Sequence, residues 1–162
     1  MRPLERGLYR SPRGLSVRDT GREMTEESTP PDLVELVGKQ AEAANRRDLD
    51  AYTNAFAEDA TIDGQPRGGF LYEGRAAIRR FAEDWFGAFE ELHVELEEVS
   101  DLGNGVVFAV VIQDGRLVGS PGQIRQREGW VCIWTRGLIT RVTTYDVDEG
   151  RAAAERLAEE RG

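Results

Sequence analysis

Cysteine and histidine are almost missing from this sequence of 162 residues, which contains one of each, Cys132 and His93. A single cysteine excludes an internal disulfide, and so few soft ligands cannot build a zinc site. A Mg²⁺ or Ca²⁺ site made of carboxylates alone stays open. No metal and no cofactor are predicted. No candidate base lies near Cys132 in the sequence, so this thiol is expected to be buried and inert.

Positive charge is also scarce, because Lys39 is the only lysine and the formal net charge is -9. Nucleic-acid binding needs clustered Lys and Arg against the phosphates, so we expect no nucleic-acid partner. No apolar run approaches the ~20 residues that a membrane-spanning helix requires, so no membrane partner is expected either. The N-terminus lacks the apolar stretch of a secretory signal, and a cytoplasmic location is therefore the prediction.

Residues 1–28 show no periodicity and are rich in Arg, Gly, Ser and Pro, which predicts a disordered N-terminal extension. Residues 1–23 contain six Arg and three acidic residues, so this segment is either a basic interaction tail or sequence that precedes a true start at Met24. The length allows one core, which predicts a single domain over residues 29–162.

The first helix is predicted from capping residues followed by helical spacing. Thr29 is the expected cap, Pro30 lies in the first turn, and Asp32 is an acid placed against the helix dipole. Apolar residues then recur at helical spacing from Leu33 to Ala44. Two consecutive helices are expected, because a second and shorter one follows after Asp48.

The second helix is predicted to be capped by Asp48 and to run through Phe56. The clearest amphipathic pattern lies in residues 75–89, with Ile78, Phe81, Ala82, Trp85 and Phe89 on one face. A last helix, capped by Asp148, is expected at the C-terminus.

Strand patterns fill the remaining sequence. ATID (60–63) reads as a short strand and GQPRGGFLYEG (64–74) as a loop. From residue 91 the period changes to two, which predicts four consecutive strands, ELHVELEEVS, VVFAVVIQ, GQIRQREGWVCIWT and LITRVTTYDV. VVFAVVIQ is apolar on both faces, so a central strand with a helix on one side and a partner on the other is expected. The order α-α-β-α-β-β-β-β-α predicts an α+β domain with helices on one face of a curved, mostly antiparallel sheet.

This order, together with the segments RRDLDAYTNAFAEDATID, LYEGRAAIRRFAEDWF, VCIWTRGLITRVTTYD and the last helix, resembles the SnoaL-like proteins of the nuclear transport factor 2-like superfamily. The matching segments cover roughly residues 32–160. The resemblance implies a cone-shaped fold whose sheet wraps around a cavity plugged by helices. It also implies a homodimer that packs through the outer face of the sheet.

The resemblance supplies catalytic positions to compare. In ketosteroid isomerases of this superfamily an aspartate after the first strand is the base, and a tyrosine and a protonated aspartate stabilise the oxyanion. Here Gly64 occupies the base position, one residue after Asp63, while Gln40 and about Trp130 occupy the other two. Asp63 could act as the base only after a one-residue shift, which would turn its side chain to the opposite face.

Epoxide hydrolases of the superfamily use two aspartates bridged by an arginine. One of these aspartate positions falls on Thr144, and VVFAVVIQ contains no Arg-x-Asp pair to supply the rest. That reaction is therefore disfavoured.

The alternation of side chains along the strands indicates a different carboxylate as the candidate acid or base. If Thr144 faces the cavity, Asp146 does so too, two residues further on. On the preceding strand Trp130, Cys132 and Trp134 share the inward face. Burial among these aromatic side chains would poise Asp146 as an acid or base. The plainer alternative is a solvated carboxylate at the strand end.

The leading hypothesis is a dimeric SnoaL-like domain with a mostly apolar cavity for a small organic ligand. If it is an enzyme, the resemblance implies cofactor-free acid-base chemistry of the isomerase, cyclase or hydratase kind. Asp146 and Asp63 are the candidate catalytic residues. The alternative is a ligand-binding or dimerisation module without catalysis, because fold alone does not establish an activity. The candidate substrate-binding residues are mostly aromatic: Trp130, Trp134, Trp85, Tyr52, Tyr72, Phe81, Thr144 and Glu128.

Overall fold

The computed structural model describes residues 31–162, so the predicted extension (1–28) and the predicted cap Thr29 lie outside the described residues. The helices are α1 (Leu33–Arg46), α2 (Leu49–Asn54), α3 (Arg75–Ala88) and α4 (Val147–Arg161). The strands are β1 (Phe56–Asp63), β2 (Leu71–Glu73), β3 (Phe89–Gly103), β4 (Val106–Leu117), β5 (Gln123–Thr135) and β6 (Leu138–Tyr145).

The six strands form one sheet in the order β2-β1-β6-β5-β4-β3. All neighbours are antiparallel except β1 and β6, which run parallel. The predicted α+β class and the curved, mostly antiparallel sheet are confirmed. The consecutive strands β3 to β6 are antiparallel neighbours because short turns join them. Strands β1 and β6 are separated in sequence by the other strands and a helix, and this long connection allows them to pair in parallel.

Capping residues were predicted for three helices, and the structure has the predicted residue at the N-terminus of one of them. The Asp48 side chain accepts the Ala51 N–H at 3.0 Å, so the predicted cap of α2 is confirmed. At α1 the cap is Asp32, which accepts the Glu35 N–H at 3.2 Å, and not Thr29. At α4 the predicted cap is wrong, because Asp146 holds the N-cap position and Asp148 lies in the first turn. An acid in the first turn is favourable whether or not it caps, so the sequence pattern does not separate the two.

The sequence predictions miss the start of β1 and the whole of β2, the two strands of the first hairpin. β1 begins at Phe56, which was assigned to the second helix, and Phe56 pairs with Ile139 of β6. The predicted loop contains a one-turn 3₁₀ helix at Gln65–Arg67 and the short strand β2, which pairs with β1. Tertiary pairing decides these short segments, since their local propensity is weak.

Two hydrophobic cores lie on opposite faces of the sheet, and β4 contributes to both. Val107, Ala109 and Val111 point into the larger inner core, which also receives α1, α2 and α3. Phe108 and Val110 point into the smaller outer core. This strict alternation explains why VVFAVVIQ is apolar throughout. The central position predicted for this strand is confirmed, because β3 and β5 flank it.

The outer core corrects one prediction. Ala154 and Ala158 of α4 are buried against Phe108, Val110 and Val131 on the outer face. The helices therefore do not all lie on one face, and α4 covers the side of β4 that was assigned to a partner molecule. Small residues on α4 allow this close approach between helix and sheet. Each fully buried Val or Phe side chain in this layer contributes about 1.5–3 kcal/mol.

An ion pair at the edge of the outer core predicts a pH effect. Arg151 of α4 donates to both carboxylate oxygens of Glu98 on β3, at 2.6 and 3.0 Å, and stacks over the Phe108 ring at 4.9 Å. The hydrogen bonds from Arg151 lower the pKa of Glu98 below its ordinary value. Because the folded pKa is the lower one, the stabilisation exists above the unfolded pKa and is lost as the pH falls through the folded pKa.

We therefore expect Glu98→Gln to lower the melting temperature by about 2–4 °C at pH 7, since a partly exposed pair contributes up to about 1 kcal/mol. The difference from the wild type should shrink as the pH falls through the lowered pKa of Glu98, because the wild-type carboxylate then becomes protonated too. Differential scanning calorimetry from neutral to acid pH measures it. Glu95→Gln, at an exposed position on the same strand, is the matched control. A difference that stays the same at every acid pH at which the protein is folded would contradict the assignment to this ion pair.

Candidate functional site

A cavity of about 340 Å³ opens on the inner face of the sheet, between the strands and α3. It is lined by all the predicted substrate-binding residues except Trp134: Tyr52, Tyr72, Phe81, Trp85, Glu128, Trp130 and Thr144. Such a volume is of the size that holds a small organic ligand.

Aromatic rings form one wall of the cavity. Phe81 and Trp85 lie four residues apart on α3, on the same face of the helix, and their rings stack at 5.9 Å. Tyr72 of β2 packs on Phe81 at 4.9 Å, and Tyr52 of α2 meets Trp85 edge-on at 5.8 Å. Contiguous ring faces favour a flat, mostly apolar ligand.

Among the described residues that line the cavity, one carries a carboxylate, Glu128 on β5, and its side chain is 13% exposed. Its Oε1 accepts the Trp130 indole N–H at 2.7 Å, and its Oε2 accepts from Gln113 Nε2 at 3.3 Å. Gln113 in turn accepts the Trp85 indole N–H at 2.9 Å. Glu128 and Trp130 share a face because they are two residues apart on one strand.

Arg67 completes this network and was not predicted. Its guanidinium lies 3.2 Å from Glu128 Oε2 and 3.4 Å from Asp146 Oδ1, so it bridges an inner and an outer carboxylate. Arg67 belongs to the one-turn helix between β1 and β2, which the sequence presented as a loop. The available signal was a lone arginine within a glycine-rich segment beside a predicted pocket.

Asp146, the first candidate catalytic residue, lies at the mouth of the cavity and not in its lining. Its side chain is 74% exposed, so the predicted burial among tryptophans is wrong. β6 ends at Tyr145, and Asp146 begins the turn into α4. Strand alternation therefore cannot be extended from Thr144 to Asp146.

Asp63, the second candidate, lies on the outer face. It accepts the Gln65 N–H at 2.9 Å and pairs with Arg141 at 2.9 Å. It lines a separate outer cavity of about 310 Å³ between the sheet and α4. Its neighbours Ile62 and Gly64 line the inner cavity, as alternation along β1 requires. The structure thus brings neither predicted base into the aromatic pocket.

Trp134 and Cys132 lie deeper than the main cavity. Both line a small void of about 30 Å³ that shares Tyr52, Trp85 and Trp130 with the cavity above it. The Trp134 indole N–H is buried without a hydrogen-bond partner. Burial raises the pKa of the Cys132 thiol to about 12, because the thiolate would lose its hydration there. The thiol is therefore protonated at neutral pH.

Tyr52 remains a proton donor at neutral pH. Burial raises the pKa of its phenol far above the ordinary value, and the nearby Cys132 and Glu128 add to the shift. The phenolate is disfavoured because it would be a poorly hydrated anion close to another. Tyr52 thus offers a neutral O–H group to the cavity.

Two further features of the described chain concern metals and membranes. Within residues 31–162 no group of three or more His, Cys, Asp or Glu side chains is placed to hold a metal ion. Over the same residues no helix is both long and apolar enough to cross a membrane.

Solved structures with this architecture are numerous. A protein with a ketosteroid isomerase-like fold from Catenulispora acidiphila, solved with trimethylamine, is 20% identical, with a TM-score of 0.63 over 79% of this chain and 95% of that one. The epoxide hydrolase/cyclase-like enzyme SalBIII of pyran ring formation in salinomycin is 25% identical, with a TM-score of 0.61 over 68% of this chain and 87% of that one.

A putative polyketide cyclase from Sinorhizobium meliloti is 23% identical, with a TM-score of 0.57 over 68% of this chain and 93% of that one. No curated protein matches the sequence.

The family of the chain follows from its own sequence. The model of the SnoaL-like domain matches residues 37–154, which is most of the chain and includes every element that lines the cavity. The chain therefore belongs to the SnoaL-like family of the nuclear transport factor 2-like superfamily.

Proposed function

We propose that this protein is a cofactor-free acid-base enzyme of the isomerase or cyclase kind, acting on a small, flat, polyketide-like molecule. The observation that carries the proposal is the Glu128 carboxylate, 13% exposed and set in an aromatic cavity. A carboxylate shielded from water and held in one orientation is suited to moving a proton to or from a bound ligand.

The proposed step begins when Glu128 removes a proton from the carbon next to a substrate carbonyl. The electron pair of the broken C–H bond forms a C=C bond, and the carbonyl π pair moves onto the oxygen, which gives an enolate. The Tyr52 hydroxyl and the Arg67 guanidinium are the cavity groups suited to donate to that oxygen. Glu128 then delivers the proton to a different carbon of the conjugated system, which isomerises the substrate. Alternatively, the enolate carbon attacks a second carbonyl carbon of the same substrate, whose oxygen takes its π electron pair and the proton from Glu128 as the ring closes. Neither outcome requires a cofactor.

Glu128 Oε1 has one lone pair to offer a substrate. A carboxylate has about four acceptor positions, and each oxygen here accepts one hydrogen bond, while the Arg67 guanidinium forms an ion pair with Oε2 at 3.2 Å. The Trp130 indole N–H fixes the carboxylate while Oε1 keeps this free position. A ligand that stacks on the aromatic wall can therefore place a C–H group next to the free acceptor position of Oε1.

The comparisons support the substrate class. The salinomycin enzyme is 25% identical and is described as acting in the formation of a pyran ring. The S. meliloti relative is described as a putative polyketide cyclase. Both descriptions concern ring formation, one in the polyether salinomycin and one on a polyketide, and a cavity of about 340 Å³ has room for part of such a chain.

A non-catalytic ligand-binding role is the second candidate, and one observation favours it. Two hydrogen bonds and an ion pair with Arg67 already engage the Glu128 carboxylate without any ligand. A carboxylate satisfied in this way can serve to fix Trp130 and Gln113 as walls of a binding pocket. The homodimer through the outer sheet face and the cytoplasmic location remain predictions, as does the absence of a cofactor.

Exchange of α-hydrogens for deuterium tests the proposal without knowledge of the natural substrate. The probe is 2-tetralone, a flat ketone with acidic α-hydrogens, followed by ¹H NMR in D₂O. We expect the protein to raise the exchange rate at least about ten-fold above buffer, since a positioned base contributes ~10²–10⁴-fold on a well-fitting substrate. Tetralone that binds, as seen by tryptophan fluorescence, without faster exchange would favour the binding module.

A further inference from the structure

Arg67 lies at the mouth of the cavity on a loop that is tied at its base. The Gly64 N–H donates to the Phe70 carbonyl and the Gly69 N–H donates to the Gly64 carbonyl, both at 2.8 Å. Asp63 accepts the Gln65 N–H at 2.9 Å, which fixes the turn that leads into the loop. The backbone of Arg67 is therefore held, while its long side chain reaches between the cavity and solvent.

The two partners of Arg67 differ in their exposure to water. The Glu128 side chain is 13% exposed and the Asp146 side chain is 74% exposed. Water and salt screen an ion pair with an exposed carboxylate, so that pair contributes little to holding the guanidinium. Asp146 is thus the partner that a competing anion can replace.

The charges in the lining leave one place for a ligand anion. Of the described residues that line the cavity, Arg67 alone is positively charged, and Glu128 alone is negatively charged. The guanidinium presents five N–H donors, of which Nη1 lies toward Glu128 and Nε toward Asp146. It already holds two carboxylates at once, so a ligand carboxylate in the place of Asp146 would reproduce an arrangement that the protein itself forms.

We propose that Arg67 recognises the substrate through a carboxylate, which replaces Asp146 as the outer partner of the guanidinium. The substrate class is then a flat, mostly apolar acid, with its carboxylate at the mouth and its body against Phe81 and Trp85. This inference rests on the proposed function, because it assigns the substrate class of the same cavity. Asp63 becomes a positioning residue in this arrangement, since it fixes the turn that carries Arg67.

Two probes of matched shape test the proposal, 2-naphthoate and the neutral 2-naphthylmethanol. Quenching of Trp85 and Trp130 fluorescence and calorimetry give their dissociation constants. We expect the wild type to bind naphthoate about ten-fold more tightly than the alcohol, since a guanidinium-carboxylate pair in a shielded site is strong.

Two variants should change the preference for naphthoate over the alcohol, one by lowering it and the other by raising it. Arg67→Gln should weaken naphthoate binding about ten-fold and change binding of the alcohol less than about three-fold. Asp146→Asn should strengthen naphthoate binding about two- to five-fold and leave the alcohol unaffected, because it removes a competing anion. A merely structural role of Arg67 would weaken both probes alike.

The results that would overturn the carboxylate proposal differ from those that would overturn the proposed function. Equal affinity of the wild type for both probes, or weaker naphthoate binding by Asp146→Asn, overturns the carboxylate proposal and leaves the cavity as a site for neutral molecules. Loss of both probes to the same extent in a folded Arg67→Gln variant overturns it as well. If neither probe binds at millimolar concentration, this inference is overturned, whereas the proposed function is decided by the exchange assay with 2-tetralone.

Discussion

The Glu128→Gln variant is expected to lower the rate of α-hydrogen exchange in 2-tetralone to that of buffer, a loss of at least about ten-fold, because an amide cannot accept the proton. The substitution preserves the shape of the side chain. Its amide oxygen can still accept the Trp130 indole N–H that now bonds to Oε1. Binding of the ketone should therefore change far less than the exchange rate.

The new amide group has a second effect that must be separated from the first. Its NH₂ faces the Gln113 amide, which now donates to Oε2, and the Arg67 guanidinium, which lies 3.2 Å from that oxygen. A buried donor that meets donors costs about 1–3 kcal/mol, so some loss of stability is expected. The exchange rate should be compared at saturating ketone and well below the melting temperature of the variant. Glu83→Gln, at an exposed position on α3, is the matched control and should behave like the wild type.

Three carboxylates can be ranked in the same assay. Asp63→Asn should slow exchange only moderately, because Asp63 faces away from the cavity and acts through the loop that carries Arg67. Asp146→Asn should also have a small effect, since its carboxylate is 74% exposed. If either of these variants loses more activity than Glu128→Gln, the base is the residue that was predicted from sequence and not Glu128.

Gly115→Ala is expected to destabilise the fold by about 3 kcal/mol, which lowers the melting temperature by about 6–12 °C. Gly115 of β4 lies opposite Leu92 of β3. A Cβ atom there would overlap the Glu91 carbonyl oxygen and come within 3.0 Å of Phe89 Cδ2. The overlap is with backbone, so the two strands would have to separate and stretch their hydrogen bonds. Thermal unfolding followed by circular dichroism measures the loss.

Gly87→Ala is the matched control for this prediction. Gly87 lies in α3, and a Cβ atom at that position meets nothing within 4 Å. Alanine there should stabilise the protein by about 0.5–1 kcal/mol, because glycine loses more backbone entropy in a helix. A Gly115→Ala protein that melts within 2 °C of the wild type would mean that the pairing of β3 with β4 differs from the one described.

The walls of the cavity were predictable because their residues follow regular periods. Phe81 and Trp85 share a helical face at a spacing of four, and Glu128 and Trp130 share a strand face at a spacing of two. Such periods hold wherever the element is regular. The same rule placed Asp146 wrongly, since β6 ends at Tyr145 and the alternation ends with it.

Arg67 was beyond the reach of sequence patterns. Its partners Glu128 and Asp146 lie 61 and 79 residues further along the chain, and each approaches from a different element. No local period links a residue of a one-turn helix to a strand and to a helix cap. The packing of α4 on β4 was missed for a related reason. An apolar strand face predicts that the face is buried, but it does not identify the element that covers it.

Periods of two or 3.6 residues lie within single segments, and they were enough to predict the helices, the strands β3 to β6, the α+β class and the inward direction of Trp130. Three features could be learned only from the folded chain: which carboxylate faces the cavity, where the Arg67 side chain lies and which face of the sheet α4 covers. These depend on contacts between segments far apart in the chain, and the free energy of such contacts is set by packing and dielectric surroundings that no single segment contains.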